Sequence, residues 1–171
     1  MTVLKDLPSH SRIWIYQSNR EFTETEVKQI KALSEQFINE WTSHNQKMKA
    51  SIELLHNLFI VIGVDEKTAP ASGCGIDKSV KFIQSLEKEF NTTLLDRMNV
   101  AYKKNSDAPT LKGEEKGKIQ ICTLNELASL LKEEKINSGA LVFNNLVSTK
   151  EEFEKNWEIP IEKSWHKQFI T

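Results

Sequence analysis

Apolar residues change their spacing several times along the chain, and each change predicts a separate helix or strand. Arg12–Gln17 is rich in β-branched and aromatic residues, which is typical of a strand. Thr23 is followed three residues later by Glu26, and this capping-box pattern predicts the start of a helix. The next apolar residues recur at helical spacing and predict one buried stripe, formed by Val27, Ile30, Leu33, Phe37, Ile38 and Trp41.

Two more strands and a second helix are predicted beyond the first helix. Lys49–Leu55 alternates polar and apolar residues, as an edge strand does, whereas Leu58–Val64 is apolar except for Gly63, as expected of a strand covered on both faces. Ile76, Val80, Ile83, Leu86 and Phe90 share one helical face, and a short strand is predicted at Asn99–Lys103. The resulting order, β-α-β-β-α-β, predicts an α+β fold with a ferredoxin-like sheet, whose first and third strands are central and whose second lies at an edge.

Three regions are predicted along the chain. Residues 1–103 form the ferredoxin-like core, and residues 104–118 contain so few apolar side chains that they predict a flexible linker. Residues 119–171 predict a C-terminal α/β extension or subdomain. Its predicted elements are a strand at Ile119–Cys122, a helix capped by Thr123 with Glu126, a strand at Ala140–Val147 and a helix from Thr149.

Composition narrows the possible environments and partners. The chain has 171 residues, of which 39% are hydrophobic and 27% charged, as in an ordinary globular protein. The longest apolar run, Leu58–Val64, is too short to span a membrane, and residues 1–10 lack the apolar core of a secretion signal. With only two cysteines, the chain is predicted to be soluble and cytoplasmic. A net charge of −1 argues against nucleic acid as a partner, since phosphate binding usually requires a basic excess.

The stretch from Asp65 to Ser79 is the best candidate for a binding site. It leaves the end of a predicted buried strand and enters a helix, where backbone N–H groups and the positive end of the helix converge. Glycines there permit close approach of a ligand. The predicted binding residues for a small anion are Asp65, Ser72, Gly73, Gly75, Asp77 and Ser79.

Cys74 lies between the two glycines and is the candidate catalytic residue. The positive end of a helix favours the thiolate, which is the nucleophilic form of a cysteine. Nothing in the spacing places a histidine beside this thiol to act as its base. The alternative interpretation is purely structural, with the glycines forming a turn and Ser72 or Asp77 capping the helix.

Two other kinds of site are not predicted. Aligning Lys78-Ser79 with the end of a phosphate-binding loop puts Ser72 and Asp77 at the positions of the two required glycines, so ATP hydrolysis is excluded. Asp65, Asp77 and Asp96 have no spacing that requires them to meet, so neither a metal nor another cofactor is predicted.

Four segments together resemble a small uncharacterised bacterial family whose members often carry the label "ABC transporter ATPase". The segments are residues 11–20 (SRIWIYQSNR), 71–79 (ASGCGIDKS), 96–103 (DRMNVAYK) and 142–147 (VFNNLV). The sequence departs from that label, because it has neither a phosphate loop nor an LSGGQ-like signature. The resemblance therefore implies membership of a family but no catalytic mechanism, and no catalytic residues are carried over from it.

The leading functional hypothesis is a non-enzymatic binding protein that holds a small anion or a protein partner at residues 65–79. Its main rival is a thiol-dependent enzyme with Cys74 as the nucleophile. A third hypothesis is a homodimer whose role is assembly. These hypotheses belong to different classes of function and make different demands on the structure.

Overall fold

The computed structural model describes residues 3–43, 46–67, 73–103 and 117–170. These residues form an α+β fold, as the alternating patterns predict. The helices are α1 (Glu24–Glu40), α2 (Gly73–Phe90), α3 (Leu124–Lys132) and α4 (Lys150–Asn156). The strands are β1 (Arg12–Gln17), β2 (Thr42–Ser43), β3 (Gln46–Lys47), β4 (Ala50–Leu55), β5 (Phe59–Val64), β6 (Asn99–Lys103), β7 (Ile119–Thr123), β8 (Leu141–Phe143) and β9 (Glu158–Pro160).

The chain divides into two compact units, each made of two separate stretches. The first unit is Met1–Asp96 together with Asn145–Glu154, and the second is Arg97–Asn144 together with Lys155–Thr171. Within the described residues, no helix is both long enough and apolar enough to cross a membrane.

The first unit is built on an antiparallel sheet in the order β1-β5-β4. β5 is the central strand, and all six of its residues are buried, which explains its unbroken apolar sequence. β4 lies at an edge, as its alternating pattern predicts. Its register places Ala50 opposite Val64 and Leu55 opposite Phe59.

The ferredoxin-like order is not confirmed, because β6 does not join this sheet. β6 pairs instead with β7 and β8 in the sheet of the second unit. Backbone groups beside α4 occupy the outer edge of β1: Ile13 N donates to Ser148 O at 2.9 Å, and Arg12 forms an isolated bridge with Thr149. This contact joins residues more than a hundred positions apart, and local spacing gives no sign of it.

Helices α1 and α2 share a hydrophobic core with one face of the first sheet. The predicted capping box at the start of α1 is present, with Thr23 and Glu26 bonding to each other's backbone N–H. The buried core of this unit includes Ile30 and Ile38 of α1, Ile62 and Val64 of β5, and Ile83 and Leu86 of α2.

A 3₁₀ helix at Leu4–Asp6 contacts the sheet at Gly63 of β5. A Cβ atom at Gly63 would lie 2.6 Å from Leu7 and 2.8 Å from Leu4, closer than side chains normally approach. Glycine is therefore required here for close packing.

The second unit contains an antiparallel sheet in the order β7-β6-β8-β9. Helix α3 begins at the predicted capping box of Thr123 and Glu126. β8 is shorter than the predicted strand at Ala140–Val147. The predicted linker lies almost wholly outside the described residues. The core of this unit includes Val100, Tyr102, Leu127, Val142 and Ile161.

Candidate functional site

Asp65, at the end of β5, is a buried carboxylate that contacts one ammonium group and one imidazole ring. Its side chain is only 5% exposed. His10 Nε2 lies 3.2 Å from Asp65 Oδ1, and Lys49 Nζ donates to Oδ2 at 3.1 Å. A buried carboxylate needs such partners, because an unpaired charge is costly away from water. We call these three side chains the Asp65 cluster.

The β4–β5 hairpin explains why Lys49 faces Asp65. Asp65 N donates to Lys49 O at 2.9 Å, which extends the β4–β5 pairing by one residue. The turn of this hairpin spans three residues, 56–58, and pairs Leu55 with Phe59. Counting outward from the predicted two-residue turn at His56–Asn57 would have put Met48 opposite Asp65, so the sequence alone misses Lys49. His10 lies outside the helices and strands, and no sequence signal indicated its contact with Asp65.

The cationic groups of the Asp65 cluster are accessible while the carboxylate is not. The side chains of His10 and Lys49 are 39% and 42% exposed. Lys49 has three N–H donors, and the described residues engage one of them, at Asp65. The cluster therefore presents positive groups to solvent and keeps its negative group beneath them.

The start of α2 is connected to the Asp65 cluster through Trp41. Trp41 Nε1 donates to Gly75 O at 3.0 Å, and Met48 N donates to Trp41 O at 3.1 Å. Met48 directly precedes Lys49. Two hydrogen bonds thus link the first turn of α2 to the backbone next to Lys49.

The two glycines of the predicted site have different surroundings. Gly75 is buried, and its carbonyl accepts the hydrogen bond from the indole of Trp41. Gly73 is exposed, and a Cβ atom there would meet nothing within 4 Å. Gly75 thus takes part in the packing of α2. The space around position 73 would accommodate a side chain larger than glycine.

The polar residues of the predicted site are not brought together as a set. Ser79 is buried, and its hydroxyl donates to Ile76 O at 2.7 Å within the same helix. Asp77 is exposed on α2. Ser72 lies outside the described residues.

Cys74 is an exposed, free thiol in the first turn of α2. Within the described part of the chain, no side chain forms a hydrogen bond or ion pair with it. The other cysteine, Cys122, is buried in the second unit, where burial and the negative charge of Glu126 raise the pKa of its thiol to about 12. The two thiols therefore differ sharply in accessibility.

The second unit contains a Ser–His pair that the sequence analysis did not identify. Ser164 Oγ lies 2.7 Å from His166 Nδ1, and each residue is only 2% exposed. Burial lowers the pKa of His166 to about 4. Ser164 Oγ also accepts from His166 N at the start of a short 3₁₀ helix, so the pair holds the C-terminal segment in place.

In the described ranges, no group of three or more His, Cys, Asp or Glu side chains is arranged to hold a metal ion. Comparisons of the chain with protein-family models, with curated proteins and with solved structures give no match.

Proposed function

We propose that this chain binds a small anionic ligand at the Asp65 cluster and the adjoining first turn of α2. The observation that carries the proposal is the buried Asp65 carboxylate, which holds the half-exposed His10 and Lys49 at 3.2 and 3.1 Å. The carboxylate thus holds an ammonium group and an imidazole ring that are both partly exposed to solvent. The remaining N–H donors of Lys49 are then available to an incoming ligand.

The charges of the cluster favour an anion over a neutral ligand. Lys49 compensates the charge of Asp65, and among the described residues two of its three N–H donors remain for an oxyanion. Charge-assisted hydrogen bonds from ammonium or imidazolium to an oxyanion are roughly twice as strong as neutral ones. A phosphate or carboxylate group is therefore the ligand chemistry that fits.

The first turn of α2 supports the same ligand class. The first N–H groups of an α-helix have no partner within the helix, and the helix dipole adds positive potential at that end. Gly73 and Cys74 are both exposed there. The open space at Gly73 lets a ligand approach the backbone directly.

Titration with inorganic phosphate and sulfate at constant ionic strength, followed by amide chemical shifts, tests the proposal. We expect shifts at residues 73–75 and at Lys49, and the variant Lys49→Met should weaken binding about tenfold by removing one charge-assisted hydrogen bond. The matched control is Lys47→Met, which removes the same charge from an exposed position outside the cluster. Equal weakening by both variants would show that only general electrostatics attracts the anion.

The thiol-dependent enzyme is a second candidate function, favoured by the exposure of Cys74 in the first turn of an 18-residue helix. In that function, the same oxyanion-binding groups would serve a substrate attacked by the thiolate. The free state of both cysteines supports a reducing compartment such as the cytosol for either function. Membership of the bacterial family that four segments resemble is likewise a proposal, and it favours neither function.

A further inference from the structure

In the part of the chain that the structure describes, backbone groups on the outer edge of β4 have no backbone hydrogen-bond partner. Ser51 and Glu53 face β5 with their backbone N–H and C=O groups, since Asp65 N bonds to Lys49 O and bonded pairs alternate along an antiparallel ladder. The N–H and C=O groups of Ile52 and Leu54 therefore point away from β5. Among the described residues, no strand pairs with this edge.

A groove of about 270 Å³ runs along the same edge. Lys31 and Glu35 of α1 line one side, Val3 lies on the other, and residues 51–54 form the floor. Ile52 is only 6% exposed, so its outward-facing backbone groups lie in a sheltered position. Sheltered backbone groups without partners are unfavourable, and an added strand would satisfy them.

We propose that a second copy of this chain occupies the groove, with the two β4 strands pairing antiparallel across a two-fold axis. Such an interface is isologous, so each lining residue meets the residue on the other side of the axis. Lys31 and Glu35 have opposite charges, and in the described part of the chain neither forms an ion pair. A two-fold axis between them places Lys31 of each copy beside Glu35 of the other.

The charges on β4 select one register for this pairing. Centring the axis on Ile52 pairs Ile52 with its copy and Ala50 with Leu54, so that outward backbone groups meet outward backbone groups. Ser51 then faces Glu53. Centring the axis on Glu53 would instead place two carboxylates directly opposite each other, which is destabilising. The Ile52-centred register forms about six new backbone hydrogen bonds.

Sedimentation and amide hydrogen exchange, each measured from roughly 10 µM to 1 mM, test the dimer directly. We expect a dimer to appear as concentration rises, with the amides of Ile52 and Leu54 gaining protection. The amides of Ser51 and Glu53 are internal controls, because their partners are in β5 at every concentration. A monomer throughout this concentration range would overturn the proposal. That result would be expected if the β4 edge pairs with a strand of another protein. A dimer in which Ile52 and Leu54 gain no protection would also overturn it.

A charge-exchange cycle tests the contacts across the axis. Lys31→Glu alone and Glu35→Lys alone each place like charges together, so each should weaken the dimer about 3- to 10-fold. The double variant restores opposite charges and should recover most of the affinity. Both positions are exposed, so the monomer should fold in every case. Additive weakening in the double variant would contradict the two-fold arrangement.

Discussion

Asp65 and His166 show two different ways in which this chain buries an ionisable side chain. Asp65 is placed beside Lys49, which compensates its charge, and beside the imidazole ring of His10. His166 has a hydroxyl partner and a stacked ring, with its centroid 3.9 Å from that of Trp165, and its pKa is lowered to about 4 by burial. The first arrangement leaves charged groups available to a ligand, whereas the second keeps a neutral ring in the protein interior.

The burial of His166 predicts a loss of stability in mild acid. Its pKa is about 4 in the folded chain, below the ordinary histidine value of 6.5, so the unfolded chain takes up the proton first. Stability should therefore fall as the pH drops below about 6.5, by up to about 3 kcal/mol, and this loss should level off below about pH 4. Urea unfolding at several pH values measures the effect.

His166→Asn is the control for this pH dependence. Asparagine does not titrate, yet it places a polar atom near the position of Nδ1, beside Ser164. The variant should lose the stability change between pH 6.5 and 4. It should keep the acid loss due to Glu26, whose pKa is lowered to about 2 by the hydrogen bond from Arg20. If the variant shows the same change in stability between pH 6.5 and 4 as the parent chain, groups other than His166 cause that change.

The two cysteines predict a selective alkylation pattern. Iodoacetamide should label the exposed Cys74 at least about 100-fold faster than the buried Cys122, because only an accessible thiolate reacts. Phosphate should slow the labelling of Cys74 if the anion binds at the first turn of α2. Mass spectrometry of labelled peptides measures both rates. Labelling of Cys74 at pH 7 much faster than in the urea-unfolded chain would instead favour the thiol-dependent enzyme.

At the scale of single elements, local sequence predicts the helices well. Both capping boxes, at Thr23 and at Thr123, are present because their hydrogen bonds join residues only three positions apart. The start of α1 is further tied by Arg20, whose two guanidinium nitrogens lie 2.8 and 2.9 Å from the carboxylate of Glu26. The strands depend more on distant partners, as β1 and β6 show.

The cap of α1 should make a measurable contribution to stability. Thr23→Ala removes the side chain that accepts from Glu26 N, and the free energy of unfolding should fall by about 1 kcal/mol. Glu24→Gln is the control, since it changes a first-turn residue outside the capping box. Urea unfolding of both variants tests the prediction. An equal loss of unfolding free energy in the two variants would contradict a capping role for Thr23.

Two glycines in different settings predict opposite responses to alanine. Gly63→Ala places a Cβ atom against Leu4 and Leu7, so the free energy of unfolding should fall by about 1–3 kcal/mol. Gly73→Ala meets open space and should be neutral or stabilising by up to about 1 kcal/mol, since alanine lowers the entropy of the unfolded chain. Denaturant midpoints of the two variants, compared with the parent chain, check the contrast.

At the scale of the whole molecule, the sequence predicted the elements better than their assembly. The unbroken apolar run of β5 predicted a strand covered on both faces, and the alternating sequence of β4 predicted an edge strand. The pairing of β6 and the contact of His10 with Asp65 depend on contacts distant in sequence, which no local pattern encodes. The candidate site was therefore located by Asp65 and the start of α2, while its cationic groups were missed.

The strand-like contact between residues 148–149 and β1 has a consequence for synthesis. The first unit includes Asn145–Glu154, so the ribosome must reach residue 154 before that unit has all of its parts. Until then, the outer edge of β1 lacks the backbone groups of Ser148 and Thr149. A fragment of residues 1–103 should thus aggregate on release, and a peptide of residues 145–154 supplied in trans should suppress that aggregation. The nascent chain has to keep one sheet edge from mispairing until residues 145–154 emerge.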